Sequence, residues 1–260
     1  MAEQKQQTVL ITGASMGIGR DMALNLALRA KHLILVARSE AALQQLATRL
    51  RTERNVEATV IALDLAQPDA ADTLYQKVQA LGLEVDVLVN NAGFGLKGAF
   101  MELPLADQQR MMQLNMGAVT SLCYLFGRDM ARRGGGRILN VASVAAFQPG
   151  PLMAIYCATK AFVLSLSEAL DTELRSQGVR VTALCPGAVD THFHTVAKND
   201  SKLLLGMAMQ PEPVAKEAVR GLWRGRRIVI PGWMNRLTVF SVRLMPRRWV
   251  AGIAYRLIAG

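Results

Sequence analysis

Two side chains four residues apart, Tyr156 and Lys160, hold a combination from which proton chemistry can be built. In a helix that spacing places both on one face. A phenol titrates near pH 10 and is a poor acid–base group at neutrality. An ammonium beside it favours the phenolate and brings the titration towards working range. A phenol tuned in this way can hand a proton to a carbonyl oxygen, or take one in the reverse direction. Tyr-x-x-x-Lys alone arises often by chance and usually marks a surface. Ser143, thirteen residues earlier, changes the odds because its hydroxyl can hydrogen-bond the same oxygen.

A second group of residues points to what reacts there. Thr12-Gly13-Ala14-Ser15-Met16-Gly17-Ile18-Gly19 follows the apolar run Thr8–Thr12 and precedes a stretch with helical spacing. A glycine-rich turn between a strand and a helix lets the backbone approach a pyrophosphate, which the free N–H groups and the helix dipole then hold. The spacing is G-x-x-x-G-x-G, and the expected ligand is a dinucleotide, whose positively charged nicotinamide would reinforce the ammonium in favouring the Tyr156 phenolate. An NAD site would place an acid near the end of the second strand for the ribose 2′-hydroxyl. That stretch reads Val36-Ala37-Arg38-Ser39, with no carboxylate before Glu40. Arg38 can instead fork onto a 2′-phosphate, so NADP(H) is expected over NAD(H). The plainer alternative makes Arg38 a solvated loop charge and Ser39 a helix cap.

The elements that must position these groups are legible as alternating runs. Thr8–Thr12, His32–Ala37, Val56–Leu63, Val85–Val89, Arg137–Val141, Val179–Leu184 and Arg227–Ile230 read as strands. Helical patterns lie between them, the longest at Leu105–Met130 and Ala154–Ser176. Continuous apolar strands alternating with helices predict an α/β fold, a single Rossmann-type doubly wound parallel sheet of about seven strands. Ligands of such sheets bind beyond the carboxyl ends of the strands, where the winding reverses.

With 51% hydrophobic and 19% charged residues among 260, disorder is excluded. The three cysteines share no C-x-x-C spacing, and the polar start has no apolar leader, so a cytoplasmic protein is expected. The net charge of +10 is uneven. Residues 201–260 hold eleven Lys/Arg against two acids, a net of +9, and residues 1–200 are nearly balanced. We therefore divide the chain into a nucleotide-binding catalytic domain, 1–232, and a basic amphipathic helical tail, 233–260. In the tail, Leu237, Phe240, Leu244 and Trp249, Ile253, Leu257 form apolar stripes, with Pro246 opening a second helix. Arginines interrupt every apolar run before it could span a bilayer. Peripheral contact with the inner face of a membrane is one expectation for it; a cover over the cleft or an oligomer interface is the alternative. No nucleic-acid reading motif is present. His192 and His194 lack a third ligand, so no metal is expected. Cys157 reads as a bystander thiol, and Asn199-Asp200-Ser201 as a chance sequon.

The chain resembles the short-chain dehydrogenase/reductase family. The match rests on Thr12–Gly19, Asp64 after the third strand, Asn90-Asn91-Ala92-Gly93, Asn115, Ser143, Tyr156-Cys157-Ala158-Thr159-Lys160, and Pro186-Gly187 followed by Val189 and Thr191. These occur in family order across about residues 7–192. The resemblance implies a Ser143–Tyr156–Lys160 core, with Asn115 holding a water that links Lys160 to solvent. It also implies that Lys160 hydrogen-bonds the nicotinamide ribose and that Asp64 and Leu65 flank the adenine. Asn91, Ala92 and Gly93 would pass the adenine ribose, and Pro186, Gly187, Val189 and Thr191 would hold the carboxamide. Where family NADP-users often place a basic residue in the glycine loop, this chain has Met16.

Between Val189 and Pro213 the family keeps a substrate lid, here carrying Leu203, Leu204, Leu205, Met207 and Met209. With Phe94, Phe147, Leu152 and Met153 they suggest an apolar pocket. The expected activity is NADP(H)-dependent interconversion of a hydrophobic ketone and its secondary alcohol, of fatty-acyl, steroid-like or aromatic type. Alternatives are an NAD-dependent alcohol dehydrogenase and a membrane-docked nucleotide-binding protein with little turnover. The resemblance also implies a homodimer or homotetramer through the two long helices.

Overall fold

The computed structural model describes residues 7–191, 206 and 208–259. His192, His194, the sequon and Leu203, Leu204, Leu205 and Met207 lie outside the described residues.

Seven parallel strands form one sheet in the order β3-β2-β1-β4-β5-β6-β7. They are β1 (Gln7–Thr12), β2 (Ala30–Ala37), β3 (Glu57–Ala62), β4 (Val87–Asn90), β5 (Gly136–Val141), β6 (Val179–Leu184) and β7 (Ile228–Val229). The winding reverses between β1 and β4, as a doubly wound sheet requires. Helices α1 (Gly17–Leu26), α2 (Glu40–Arg54), α3 (Ala70–Ala80), α4 (Leu105–Met112), α5 (Val119–Arg132), α6 (Ala154–Leu174) and α7 (Pro211–Trp223) supply the covering layers.

The strands read as unbroken apolar runs because both faces are buried. Val9, Ile11, Leu33, Leu35, Val87 and Val89 pack into one core with residues of α1, α2 and α7. Their neighbours Leu10, Ile34, Val36 and Leu88 point the other way, into a core shared with α3, α5 and α6. Alternation thus separates two cores rather than core from water.

One element departs from the sequence pattern. The long helix expected over Leu105–Met130 is two helices, α4 and α5, joined through a π-helical stretch at Gln113–Ala118. The wider turn falls on Asn115, and such turns recur at functional sites. The final strand is also shorter than the Arg227–Ile230 run.

The tail forms α8 (Trp233–Leu244) and α9 (Arg247–Ala259). Asn235 of α8 donates to the Pro231 carbonyl at 2.7 Å, and Arg236 to that of Ile230 at 2.8 Å, so the helix is tied to the strand it follows. Ile258 of α9 joins a third, smaller core with Met111, Met153, Tyr156 and Cys157. Among the described residues no helix is long and apolar enough to cross a membrane.

Candidate active site

The crevice begins where β1 and β4 end side by side. The Thr12 hydroxyl donates to the Val89 carbonyl at 3.3 Å and accepts from the N–H groups of Asn91 and Ala92, both at 3.0 Å. The Asn91 amide returns two bonds, to the carbonyls of Thr12 and Gly13, each at 3.0 Å. The two loops are therefore one stapled unit. Gly13 has φ +64°, and a Cβ there would lie 2.7 Å from Asn91 Nδ2 and 2.9 Å from Ala92 Cα. Only glycine meets both conditions. Met16, the N-cap of α1, makes no side-chain capping bond. The N–H groups of the first turn of α1 are therefore not used up by a cap, which suits an anion.

At one end of the crevice Arg38 is exposed on the rim and Asp64 lies beside it. Burial raises the Asp64 carboxyl. The Ala66 N–H at 3.1 Å and the Arg110 guanidinium at 2.6 Å outweigh burial and hold the group below its ordinary range. Ser39 caps α2 by accepting from the Ala42 N–H at 3.4 Å, as its plainer reading has it, and also lines the crevice.

At the other end Ser143, Tyr156 and Lys160 converge, all nearly buried. Ser143 lies two residues beyond β5, at the cap of a short 3-10 turn; its hydroxyl donates to the Pro186 carbonyl at 3.4 Å, accepts from the Ala145 N–H at 3.1 Å and is hydrogen-bonded to the Tyr156 phenol. Tyr156 and Lys160 lie in the first two turns of α6, with the ammonium 5.8 Å from the phenol ring centroid. Lys160 Nζ donates to the Val141 carbonyl at 2.8 Å. Burial pushes the Lys160 ammonium down to about 8. It pushes the Tyr156 phenol up, and the Ser143 hydrogen bond offsets this only in part. The expected lowering of the phenol is therefore not a property of the protein alone, because desolvation penalises phenolate more than its neighbours reward it.

Asn115 sits behind these groups. Its amide donates to the Phe94 carbonyl at 2.9 Å and to Thr159 Oγ1 at 3.1 Å, and its Oδ1 accepts from the Phe94 N–H at 3.2 Å. A Cβ on Gly93 would lie 3.0 Å from Asn115 Oδ1 and 3.5 Å from Lys160 Nζ. The turn after β4, the π-helical stretch and α6 therefore meet at one point.

Between the two ends runs a cleft of about 740 Å³, within the range of small-molecule sites. Gly13, Ser15, Met16, Gly17, Ile18, Arg38, Asp64, Leu65, Asn91, Ala92, Gly93, Ser143, Tyr156, Lys160, Pro186, Gly187, Val189 and Thr191 all line it. Gly19 packs behind the Gly13 turn instead, and Asn115 behind Gly93. Phe94 and Met153 line the cleft, whereas Phe147 packs into the core beside β5 and β6. Among the lining residues that the sequence does not announce are Arg110 and Ile258. Arg110 sits five positions before Asn115 with no motif to flag it. Ile258 comes from a helix whose approach no local pattern announces. The glycine cradle, the bare start of α1 and the length of the cleft fit a dinucleotide.

Comparison with known proteins agrees with this geometry. The family model described as short chain dehydrogenase matches residues 7–202. The probable oxidoreductase EphD of Mycobacterium tuberculosis is 33% identical over 202 residues, which are 75% of this chain and 34% of EphD, so the chain spans about a third of that relative. A short-chain dehydrogenase from Sphingobium yanoikuyae, solved with NADPH, is 34% identical with a TM-score of 0.83, covering 92% of this chain and 93% of its own. A bulky-bulky ketone specific alcohol dehydrogenase from Comamonas testosteroni is 33% identical with a TM-score of 0.78, covering 92% of each chain. A Burkholderia phymatum relative solved with NAD is 27% identical with a TM-score of 0.81, covering 92% and 94%. Relatives of this fold thus carry either dinucleotide. On the matched residues and the overlaid fold, the chain belongs to the short-chain dehydrogenase family.

Proposed function

We propose that the chain is an NADP(H)-dependent oxidoreductase that interconverts a hydrophobic ketone and its secondary alcohol. The observation that carries this reading is the buried meeting of Ser143, Tyr156 and Lys160 in the crevice that starts at the glycine turn. A nicotinamide bound there would supply or accept the hydride that no side chain can. The side chains do the rest. Ser143 hydrogen-bonds the substrate oxygen and orients it towards Tyr156. Tyr156 donates its phenolic proton to that oxygen in reduction and takes it back in oxidation. Lys160, already near 8 through burial, stabilises the phenolate left behind and passes a proton on. Asn115 holds the Gly93–Phe94 turn against Lys160 and organises the water that reaches it.

Arg38 supports NADP over NAD, since it lines the cleft just after β2, where an NAD site would carry an acid. Phe94, Met153, Val144 and Ile258 give the cleft apolar walls, which favours a fatty-acyl, steroid-like or aromatic carbonyl. Tyr124 on α5 and Phe162 on α6 stand 65% and 37% exposed, and we place the interface of a homodimer or homotetramer on these two helices. Buried free thiols at Cys123, Cys157 and Cys185 suit the cytoplasm.

The test follows NADPH absorbance over ketones of increasing size, with wild type beside Tyr156→Phe. Wild type should turn over the apolar members, and the variant should lose about 10²–10⁴-fold in kcat with NADPH affinity nearly unchanged. Undiminished turnover in the variant would remove Tyr156 from its role.

A further inference from the structure

The two C-terminal helices leave a surface that closing the cleft does not explain. Along α8, Trp233, Leu237, Phe240 and Leu244 recur at the spacing of one helix face. That face points into solvent, with exposures of 71, 57, 58 and 72%, and Val239 is the residue of α8 that is buried. On α9, Val250, Ala254 and Ile258 turn inward, whereas Trp249 and Ile253 stand 57% and 44% exposed. A helix that only packed on the body would turn its apolar face inward; α8 does the reverse.

The charge around this surface has one sign. Arg236, Arg243, Arg247, Arg248 and Arg256 lie on the two helices, and no Asp or Glu follows Glu217 in the chain. Among the described residues, Arg236 is the one of the five with a carboxylate partner, Glu217 at 3.1 Å. Exposed aromatic and aliphatic side chains flanked by unneutralised arginines match the headgroup boundary of an anionic bilayer. A second copy of the chain is a poorer occupant. A two-fold pairing of these helices would bring two arginine-flanked faces together with no Asp or Glu on either helix to interleave.

We propose that α8 and α9 seat on an anionic lipid surface, with Trp233, Leu237, Phe240 and Trp249 entering the headgroup boundary and the arginines meeting lipid phosphates. Ile258 lines the cleft from the inner side of α9, so one of the docked helices also supplies a wall of the cleft.

The test mixes the full chain with vesicles of phosphatidylcholine, with or without phosphatidylglycerol, and reads cosedimentation and tryptophan emission. The expected result is binding to the phosphatidylglycerol vesicles with a blue shift, weakened by added salt. The double variant Leu237→Glu/Phe240→Glu should bind at least about tenfold more weakly, with an unchanged melting temperature because both sites are exposed. Neither readout requires turnover, so the result stands apart from the catalytic reading. The proposal is overturned if wild type ignores phosphatidylglycerol vesicles or if the double variant binds them as well as wild type. It is also overturned if the double substitution merely converts a dimer into a monomer.

Discussion

Thr12, Asn115 and Lys160 are polar side chains sunk into the protein, and each has its partners within 3.3 Å. Trp233, Leu237, Phe240 and Leu244 are apolar side chains left standing in water. The crevice places polar groups where they cost most unless satisfied, and satisfies them. The C-terminal helices place apolar groups where folding gains nothing from them. The first pattern suits the chemistry proposed for the crevice. The second suits the docking surface proposed for the C-terminal helices.

The largest test of this contrast lies in the body. Asp171 on α6 is fully buried and accepts from Arg175 at 2.6 Å, Arg180 at 2.9 Å, Arg227 at 3.0 Å and the Val181 N–H at 3.1 Å. It ties α6 to β6 and to the segment entering β7. Asp171→Ala should cost about 3–5 kcal/mol by denaturant unfolding, as removing one partner of a buried network does. Burial raises this carboxyl, but Arg180, Arg175 and the Val181 backbone bond hold it down to about 2. Because the folded value lies below the ordinary one, the stabilisation is complete above the ordinary carboxylate range. It drains away as pH falls through that range towards about 2. A wild-type chain whose acid unfolding midpoint matched that of the variant would break this account.

A smaller effect is expected at the crevice rim. Arg38→Asp should shift the ratio of kcat/KM for NADPH over NADH by roughly 10²-fold towards NADH, as expected when a charge-assisted contact is lost and a repulsive one gained. An unchanged ratio would leave Arg38 as a solvated charge. The smallest effect falls where the two regions meet. Ile258→Ala should change kcat/KM for the bulkiest ketones by roughly 10-fold relative to small ones, with stability lowered only modestly at this helix end. Equal shifts for every substrate size would separate α9 from the cleft.

Much of the body was legible in the sequence because its elements obey local rules. Unbroken apolar runs fixed the strands, and the glycine turn, Ser143 and the Tyr156–Lys160 spacing marked the site. What stayed hidden depends on contacts distant in the chain. The Arg110–Asp64 pair joins residues 46 positions apart, and Ile258 reaches Tyr156 across about a hundred. The π-helical stretch at Asn115 preserves the apolar pattern of a plain helix, so nothing in the periodicity betrays it. The stripes of the tail were visible, but a stripe says only that a helix has an apolar face, never what covers it. The burial of the phenol stayed hidden for a related reason: sequence shows the ammonium four residues away and not the depth at which Tyr156 sits.

That depth frames the central claim, that Tyr156 becomes a usable base for alcohol oxidation only when a cationic nicotinamide joins Lys160 beside it. The direct measurement is an ultraviolet difference titration of wild type against Tyr156→Phe, with and without NADP+. The account predicts a phenolate band for Tyr156 that appears at distinctly lower pH once NADP+ is bound. A phenol that titrates in the same strongly alkaline range in both states would contradict it.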